Sequence, residues 1–269
     1  MPQTLFITGA STGIGKITAL HFRSQGWNVA ATLRNPATDT ELAAAGVQTF
    51  ALDVTDKRTI QPALDGALAA FGRIDVLVNN AGYGTFGPFE AATDEQIERQ
   101  YATNVTGLMY VTRAFLPHFR ANRAGIIINI SSVGGVCTLP FYSLYHGTKW
   151  AIEGFSESLN FELNGLGITV KLVEPGAIAT DFGSRSLDRL KKDGLDAYDP
   201  LMKTFLETWA AARVRSAPQI VAEAIWQAAT DGTSQLRYIV GDDAKALIEA
   251  RGKISQAEYY AMIRQRLGL

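Results

Sequence analysis

Short apolar runs alternate with longer segments of helical spacing along most of the chain. Several runs are apolar at nearly every position, as at 126–128, where three isoleucines follow one another. Such a run is typical of a central strand that is covered on both faces. The pattern predicts seven strands, at 4–8, 28–33, 48–52, 75–79, 125–131, 169–174 and 237–240.

The segments between these strands carry helix signals. Gly26 fits the cap just past the first helix, whose apolar face comprises Ile14, Ala19, Leu20 and Phe22. Thr93 and Gln96 form a capping-box pattern, and the helix they begin is expected to run through Asn104. Pro117 is expected near the end of that helix. Repeated strand–helix units predict parallel strands joined by helical crossovers. We therefore predict a Rossmann-like, doubly wound α/β fold with about seven parallel strands and helices on both faces.

The chain is predicted to form a single domain, 1–269, because its length suits one core and no linker or internal repeat divides it. The segment 183–216 breaks the rhythm of strands and helices and is too long for a simple loop. It contains two helical patterns of its own, Leu187/Leu190 and Met202/Phe205/Leu206/Trp209. We predict that this segment is a helical lid over a substrate. A surface subdomain without that role is the alternative.

Composition narrows the classes of partner. The chain has 25 basic and 26 acidic residues, so no basic excess points to nucleic acid. Its one cysteine, Cys137, excludes an internal disulfide and fits a reducing compartment. The first residues lack the features of a secretion signal, and no apolar run approaches the roughly 20 residues that span a bilayer. These features predict a soluble cytoplasmic protein without a membrane or nucleic-acid partner.

The first predicted strand ends in a glycine-rich loop, Thr8-Gly9-Ala10-Ser11-Thr12-Gly13-Ile14-Gly15, and a predicted helix follows. Glycines let the backbone turn tightly and approach a ligand closely. The helix N-terminus adds free N–H groups and a partial positive charge, which suit a pyrophosphate. An ordinary tight turn is the alternative, but the position after the first strand of an alternating pattern favours a dinucleotide site.

The loop has the spacing Gly-x-x-x-Gly-x-Gly, and further motifs follow it in order. These motifs are Asn79-Asn80-Ala81-Gly82, Asn104, Ser132, Tyr145-His146-Gly147-Thr148-Lys149 and Pro175-Gly176 with Thr180. Together with the glycine loop they resemble the classical short-chain dehydrogenase/reductase family over residues 4–182. The stretch Ser132-Val133-Gly134-Gly135 with Leu139-Pro140-Phe141 looks like that of its hydroxysteroid and retinol dehydrogenase members. The resemblance implies an oxidoreductase with a nicotinamide cofactor. The residues expected to bind that cofactor are Gly9, Ser11, Thr12, Gly13, Ile14, Gly15, Arg34, Asp53, Val54, Asn80, Ala81, Gly82, Tyr145, Lys149, Pro175, Gly176, Ile178 and Thr180.

The end of the second strand bears on the choice of cofactor. Leu33 stands where NAD-preferring members of the family carry an acidic residue, and Arg34 could pair with a 2′-phosphate. NADP(H) is therefore the preferred cofactor and NAD(H) the alternative; a solvated surface arginine is the other reading of Arg34. Thr12 stands where many NADP-preferring relatives have a second basic residue, and Lys16 lies nearby inside the helix. Asp53 resembles the adenine-contacting aspartate of the family but equally suits a turn.

Tyr145 and Lys149 are four residues apart in a predicted helix over 145–164, so they share one face. A tyrosine hydroxyl has a pKa of about 10, which a neighbouring ammonium lowers. Tyr145 could then donate a proton to a developing alkoxide or accept one from an alcohol. Chance produces Tyr-x-x-x-Lys pairs often, so this pair gains its weight from the ordered motifs around it.

The resemblance implies a role for each of four residues. Tyr145 is the general acid and base, and Ser132 orients and polarises the carbonyl group. Lys149 lowers the tyrosine pKa and binds the nicotinamide ribose. Asn104 holds a water in the proton relay, although an asparagine tolerated within a helix is the alternative. Ser131 adjoins Ser132, but the 13-residue spacing to Tyr145 favours Ser132.

The predicted substrate is a small hydrophobic ketone or secondary alcohol, because the candidate pocket wall is apolar. That wall comprises Val133, Leu139, Phe141, Tyr142 and Phe182, with Met202 or Phe205 from the lid. Family members commonly associate through the helices that bear Asn104 and Tyr145, so a homodimer or homotetramer is expected. No metal site is predicted, since the three histidines lack ligand spacing. His146 is expected to have a surface or packing role, and Cys137 a packing role.

Two other functions compete with this interpretation. A sensor or regulator that binds NADP without turnover would not need a proton donor, so the set of Ser132, Tyr145 and Lys149 disfavours it. A reductase of carbon–carbon double bonds is disfavoured by the four-residue step from Tyr145 to Lys149, because relatives of that type space the two residues more widely.

Overall fold

The computed structural model describes residues 2–183, 185–210 and 214–266. Within them the strands, in chain order, are β1 (Thr4–Ile7), β2 (Asn28–Leu33), β3 (Gln48–Ala51), β4 (Val76–Asn79), β5 (Gly84–Phe86), β6 (Gly125–Ile130), β7 (Ile168–Pro175), β8 (Leu187–Arg189) and β9 (Arg237–Val240). Seven of them form one parallel sheet in the order β3-β2-β1-β4-β6-β7-β9, and β5 pairs with β8 in a second, two-stranded sheet.

The helices are α1 (Gly13–Ser24), α2 (Thr40–Ala44), α3 (Lys57–Phe71), α4 (Asp94–Tyr101), α5 (Leu108–Asn122), α6 (Ser143–Asn164), α7 (Asp199–Phe205), α8 (Gln219–Thr230), α9 (Asp242–Lys253) and α10 (Gln256–Arg266). Helices α1 and α8 pack on one face of the large sheet, and α3, α5 and α6 on the other. Successive strand residues alternate between the two cores: Leu5 and Ile7 face one, and Phe6 faces the other. This double burial explains why the strands are apolar at every position.

The predicted Rossmann-like α/β fold is confirmed, and each of the seven predicted strands is present. The helical pattern assigned to Leu187 and Leu190 is wrong. Residues Leu187–Arg189 form β8, which pairs with β5, and the N–H of Leu190 donates to the carbonyl oxygen of Phe86 at 2.9 Å. A partner strand about 100 residues earlier in the chain supplies these bonds, so the local apolar spacing does not decide the conformation. Met202 and Phe205 do lie in a helix, α7; the side chain of Trp209 lies outside the described atoms.

The capping box at Thr93 is present: its hydroxyl accepts from the N–H of Gln96, whose side chain accepts from the N–H of Thr93. The helix that begins there is interrupted by a π-helical turn, Ala102–Gly107, before α5 continues to Asn122. Pro117 lies inside α5 rather than at its end. None of the helices that the structure describes has the length and apolar character needed to cross a bilayer.

The order of strands fixes where a ligand can bind. From β1 the chain builds outward through β2 and β3, and from its other neighbour, β4, it builds through β6, β7 and β9. Ligands of open α/β sheets bind at this reversal, outside the carboxyl ends of the strands.

Candidate functional site

The carboxyl ends of the central strands open into a cleft of about 1020 Å³. Each residue expected to bind the cofactor lines this cleft, and so do Ser132, Tyr145 and Lys149. Asn104 is buried behind the lining. Residues from seven separate stretches of chain, scattered between positions 9 and 180, thus meet on one surface.

The glycine loop packs so closely on the segment after β4 that two of its glycines have no room for a side chain. Gly9 has a φ of +69°, and a Cβ there would lie 2.8 Å from the Cα of Ala81. A Cβ on Gly15 would lie 2.4 Å from the Nδ2 of Asn80. The loop backbone is therefore held open to the cleft at the N-terminus of α1, where free N–H groups favour an anion.

Thr8 and Asn80 join β1 to β4 at this point. The side chain of Asn80 donates to the carbonyl oxygens of Thr8 and Gly9, at 2.9 and 3.0 Å. The hydroxyl of Thr8 accepts from the backbone N–H groups of Asn80 and Ala81, at 3.0 and 3.1 Å. Asn80 thus fixes the shape of the glycine loop, and the sequence did not single out Thr8 for this role.

The two basic residues near the loop have different partners. The Nζ of Lys16 lies 3.1 Å from Asp39 and 2.7 Å from Glu41, so its charge is already matched. Arg34 lines the cleft at the end of β2, and no acidic side chain in the described chain pairs with it. Asp53 also lines the cleft, and its Oδ1 accepts from the N–H and the hydroxyl of Thr55 at 2.9 and 2.7 Å. The carboxylate of Asp53 therefore stabilises a turn at the cleft wall.

Helix α6 brings Tyr145 and Lys149 to the same part of the cleft. The Nζ of Lys149 donates to the carbonyl oxygen of Ile130 at 2.8 Å and lies 5.8 Å from the centre of the Tyr145 ring. Burial lowers the pKa of Lys149 to about 8, so the side chain is mainly cationic at neutral pH. The ring of Phe182 lies 5.6 Å from that of Tyr145 and covers it from the segment after β7.

Ser131 and Ser132 differ in where their hydroxyls point. The Oγ of Ser131 is buried, and a Cβ on Gly135 would lie 2.7 Å from it. Ser132 is partly exposed on the cleft, and its Oγ accepts from the N–H of Gly134 at 3.0 Å. This bond uses an acceptor site of Ser132, and its hydroxyl proton remains the donor that a substrate oxygen requires.

His146 is buried, so the expected surface role is wrong and the packing role is the one that fits. Its Nε2 accepts from the N–H of Leu139 at 3.1 Å, and its Nδ1 donates to the carbonyl oxygen of Gly134 at 2.8 Å. These two bonds define a neutral imidazole that ties α6 to the loop carrying Ser132. Burial raises the pKa of Cys137 to about 11, which fits packing rather than nucleophilic chemistry.

Asn104 lies in the π-helical turn, and its side-chain amide forms hydrogen bonds with two neighbouring residues. Its Oδ1 accepts from the N–H of Tyr83, and its Nδ2 donates to the carbonyl oxygen of Tyr83 and the hydroxyl of Thr148, at 3.1, 2.9 and 3.1 Å. It connects the segment after β4 to α6. On the other side, Asp243 accepts from the N–H of Ala177 at 2.7 Å and supports the segment after β7. These roles of Tyr83, Thr148 and Asp243 were not predicted, because they depend on contacts between distant elements.

The wall beyond Tyr145 is largely aromatic. The predicted wall residues that line the cleft are Val133, Leu139, Tyr142, Phe182 and Phe205, joined by Phe86, which the sequence did not indicate. Phe141 packs behind the lining, with its ring 6.0 Å from those of both Phe86 and Phe205. Met202 lines a smaller cavity of about 320 Å³. In the described part of the chain, no three His, Cys, Asp or Glu side chains are grouped to hold a metal ion.

Fold and cleft together define a Rossmann-like α/β protein. A family model for short chain dehydrogenase matches residues 3–190. An uncharacterized oxidoreductase of Schizosaccharomyces pombe is 42% identical over 81% of this chain and 92% of its own. A 3-ketodihydrosphingosine reductase of Bacteroides thetaiotaomicron is 39% identical over 76% of this chain and 74% of its own. The chain belongs to the short-chain dehydrogenase/reductase family and is an oxidoreductase.

Solved structures agree with this assignment. A short-chain dehydrogenase from Streptomyces avermitilis superposes with a TM-score of 0.85 at 32% identity, covering 99% of this chain and 98% of its own. A 3-ketoacyl-(acyl-carrier-protein) reductase from Brucella melitensis complexed with NADH has a TM-score of 0.74 at 27% identity, covering 88% and 96%. ElxO with NADP bound has a TM-score of 0.74 at 25% identity, covering 89% and 98%.

Proposed function

We propose that this oxidoreductase transfers a hydride between NADP(H) and a small hydrophobic ketone or secondary alcohol, with Tyr145 as general acid and base. The observation that carries the proposal is the convergence of the glycine loop, Ser132, Tyr145 and Lys149 on one cleft. The cleft is large enough for an extended dinucleotide and a small substrate together.

The residues present fit a dinucleotide. Gly9 and Gly15 leave the loop backbone bare beside the N-terminus of α1, which suits a pyrophosphate. We propose that Asp53 and Val54 border the adenosine end and that Lys149 binds the nicotinamide ribose. Four further residues of the cleft lining lie at the end of β7 or just after it, and we propose that they hold the carboxamide end: Pro175, Gly176, Ile178 and Thr180.

The protein's own side chains carry out the proton transfer of the reaction. A bound nicotinamide supplies the hydride for reduction or accepts it in oxidation. As the hydride reaches the carbonyl carbon, Tyr145 donates its proton to the carbonyl oxygen and the product is the alcohol. Ser132 donates a hydrogen bond to the same oxygen as negative charge develops there. The ammonium of Lys149 favours the tyrosinate that remains.

Asn104 keeps its predicted place in the proton relay as part of this proposal. Its amide bonds to Tyr83 and Thr148 support a positioning role, because they hold the segment after β4 against α6. The preference for NADP(H) is supported by Arg34, since it is the basic residue at the end of β2 that lacks an acidic partner among the described residues. Of the two cofactor-bound structures compared above, ElxO holds NADP and the Brucella reductase holds NADH, so NAD(H) stays the alternative.

The aromatic wall supports a hydrophobic substrate, and the name of the Bacteroides relative, a 3-ketodihydrosphingosine reductase, supports a keto group. We also propose that the segment 183–216 acts as a lid. Its Phe205 reaches the cleft, and its β8 strand is joined to β5 beside Tyr83. Asp188 in β8 accepts from Gln96 at 3.1 Å and pairs with Arg99, so α4 anchors the base of the lid.

The test is a panel of hydrophobic ketones, assayed with NADPH and with NADH by loss of nicotinamide absorbance. We expect reduction of at least one class of ketone, and we expect Tyr145→Phe to reduce kcat by about a thousandfold, because the general acid is lost. Binding of NADPH to this variant, measured by fluorescence, should remain near that of the unmodified protein. Tyr110→Phe, on α5 and outside the cleft lining, is the matched control.

Near-normal turnover by the Tyr145→Phe variant would contradict the mechanism. If the unmodified protein binds NADPH but reduces no member of the panel, the non-catalytic sensor becomes the better interpretation. Reduction of enones at the carbon–carbon bond, identified from the product, would instead favour the double-bond reductase.

A further inference from the structure

A group of charged side chains lies behind the reaction centre, and the proposed proton transfer does not use it. Glu153 on α6 is 6% exposed and Glu174 on β7 is 1% exposed. The Nε of Arg237, at the start of β9, lies 3.1 Å from the carboxylate of Glu153 and 3.3 Å from that of Glu174. One guanidinium therefore bridges two buried carboxylates that come from different elements.

Glu153 lies one helical turn after Lys149 on α6, so the two side chains share a face. The neutral carbonyl oxygen of Ile130 accepts from Lys149 but brings no compensating charge. Burial lowers the pKa of Lys149, and the negative charge of Glu153 acts in the opposite direction. Among the described residues, Glu153 is thus the carboxylate that favours the charged form of the lysine.

The carboxylate of Glu153 is closely surrounded on its other side. Its second oxygen, Oε1, is buried and has no hydrogen-bond partner among the described residues. A Cβ on Gly135 would lie 2.9 Å from the Cγ of Glu153 and 2.7 Å from the Oγ of Ser131. The loop that carries Ser132 therefore packs directly on Glu153.

Other charged groups lie around Lys149 and Glu153 on α6 and on the neighbouring elements. The Oε2 of Glu157, on the exposed side of α6, lies 2.6 Å from the Nη2 of Arg237. Burial, with the nearby Glu153, raises the pKa of Glu174 to about 7, so this carboxyl carries only part of a charge at neutral pH. Among the described residues, the ring of Tyr145 lies near Lys149, and Cys137 lies within electrostatic range of Glu174 and Arg251.

We propose that Glu153 is a positioning residue of the reductase reaction: held by Arg237, its carboxylate keeps Lys149 protonated in a buried site. The inference rests on the proposed function, in which the lysine must be cationic to favour the tyrosinate and to bind the ribose. Without Glu153, burial favours the neutral amine. Lys149 then loses its proton at a lower pH than in the unmodified protein, and with the proton it loses its effect on Tyr145 and its hold on the ribose.

The experiment compares Glu153→Gln, Glu153→Asp and Glu157→Gln with the unmodified protein. Glu157→Gln is the matched control, because it removes a carboxylate from the same helix and the same arginine, but on the exposed side. Two quantities are measured from about pH 6 to about pH 10: kcat/KM for ketone reduction, and the Kd of NADPH by fluorescence. Circular dichroism establishes that each variant is folded.

In Glu153→Gln the alkaline fall of kcat/KM should move to lower pH by about one unit, the size that a lost neighbouring charge commonly produces. The pH at which NADPH binding weakens should move in the same direction. Glu153→Asp keeps the charge and should restore most of the profile, and Glu157→Gln should leave it unchanged. If Glu153→Gln does not fold, Glu153→Met removes the same charge with an apolar side chain of similar length.

Profiles of folded Glu153→Gln or Glu153→Met that coincide with the unmodified protein overturn the inference and leave the proposed function intact. An equal shift in Glu157→Gln also overturns it, because a general change in surface charge would then be the cause. If the unmodified protein reduces no ketone, the proposed function fails. The pH dependence of NADPH binding still decides whether Glu153 controls the charge of Lys149.

Discussion

Arg34 and Lys16 both lie near the end of β2, and their partners distinguish them. Lys16 is matched by Asp39 and Glu41, whereas Arg34 lines the cleft without an acidic partner in the described chain. A planar guanidinium can hold a phosphate through two parallel hydrogen bonds. The cofactor preference proposed for this chain therefore depends on one side chain.

Replacing Arg34 by alanine should lower kcat/KM for NADPH by about ten- to hundredfold, the effect of losing a hydrogen-bonded charge pair. The value for NADH should change little, since NADH has no 2′-phosphate. Steady-state kinetics with both cofactors measure the difference. Arg58→Ala is the control, because Arg58 is exposed, pairs with Asp56 and lies outside the cleft lining. An equal loss for both cofactors would show that Arg34 does not read the phosphate.

His146 shows how far residue-level reasoning reaches. Helix geometry predicts that its side chain points about 100° around the helix from that of Tyr145. Its burial and its bonds to Gly134 and Leu139 were not predictable, because they depend on a loop that folds back over α6.

At the scale of elements, an ion pair between a buried lysine and a partly exposed aspartate holds β9 against the sheet. The Nζ of Lys171 on β7 is almost fully buried and lies 2.6 Å from Asp231 and 2.9 Å from the hydroxyl of Tyr238 on β9. Tyr238 also donates to Asp231 at 2.5 Å. Asp231 lies shortly before Arg237, the first residue of β9. The ion pair therefore also affects the position of that arginine.

Replacing Asp231 by asparagine should lower the free energy of unfolding at neutral pH by about 3 kcal/mol, because it leaves the charge of Lys171 buried and unpaired. Burial alone would raise the pKa of Asp231, but hydrogen bonds from Lys171 and Tyr238 lower it to about 2. A lowered carboxyl pKa stabilises the fold fully above about pH 4 and loses that effect as the pH falls through about 2.

Urea unfolding of both proteins at a series of pH values checks this prediction. The difference between them should be largest near neutral pH and should shrink on acidification below about pH 4. Asp193→Asn, at an exposed aspartate, is the control. A difference that is absent at neutral pH would mean that the ion pair contributes nothing to stability.

At the scale of the whole molecule, large apolar side chains are exposed on α6 and at the end of α4. Phe161 is 77% exposed and Trp150 is 45% exposed, and Tyr101, at the end of α4, is 38% exposed. Apolar groups of this size in one region are typical of a protein interface. They lie on the helices through which family resemblance leads us to expect a homodimer or homotetramer.

The double substitution Trp150→Glu with Phe161→Glu should reduce the mass measured by light scattering at micromolar concentration, because like charges would face each other across a symmetric interface. Phe89→Glu is the control: Phe89 is 55% exposed but lies outside α4, α5 and α6. A mass that the double substitution leaves unchanged would place the interface elsewhere. A monomeric unmodified protein would contradict the expected oligomer.

The local pattern of residues along the chain was enough to predict the strands, the glycine loop and the shared helix face of Tyr145 and Lys149. Strands buried on both faces must be apolar at every position, and a tight loop before a helix needs glycine, so both appear in the sequence itself. The four-residue step from Tyr145 to Lys149 places both on one helix face, wherever that helix packs.

Only the tertiary structure decided the rest. It made Leu187–Arg189 a strand by supplying β5 as a partner, and it turned the amide of Asn104 toward Tyr83 and Thr148. It also paired Glu153, one helical turn after Lys149, with Arg237, although the sequence separates Glu153 from Arg237 by 84 residues. Periodicity depends on near neighbours in the chain, whereas burial and the pairing of charges depend on which distant segments meet when the sheet assembles.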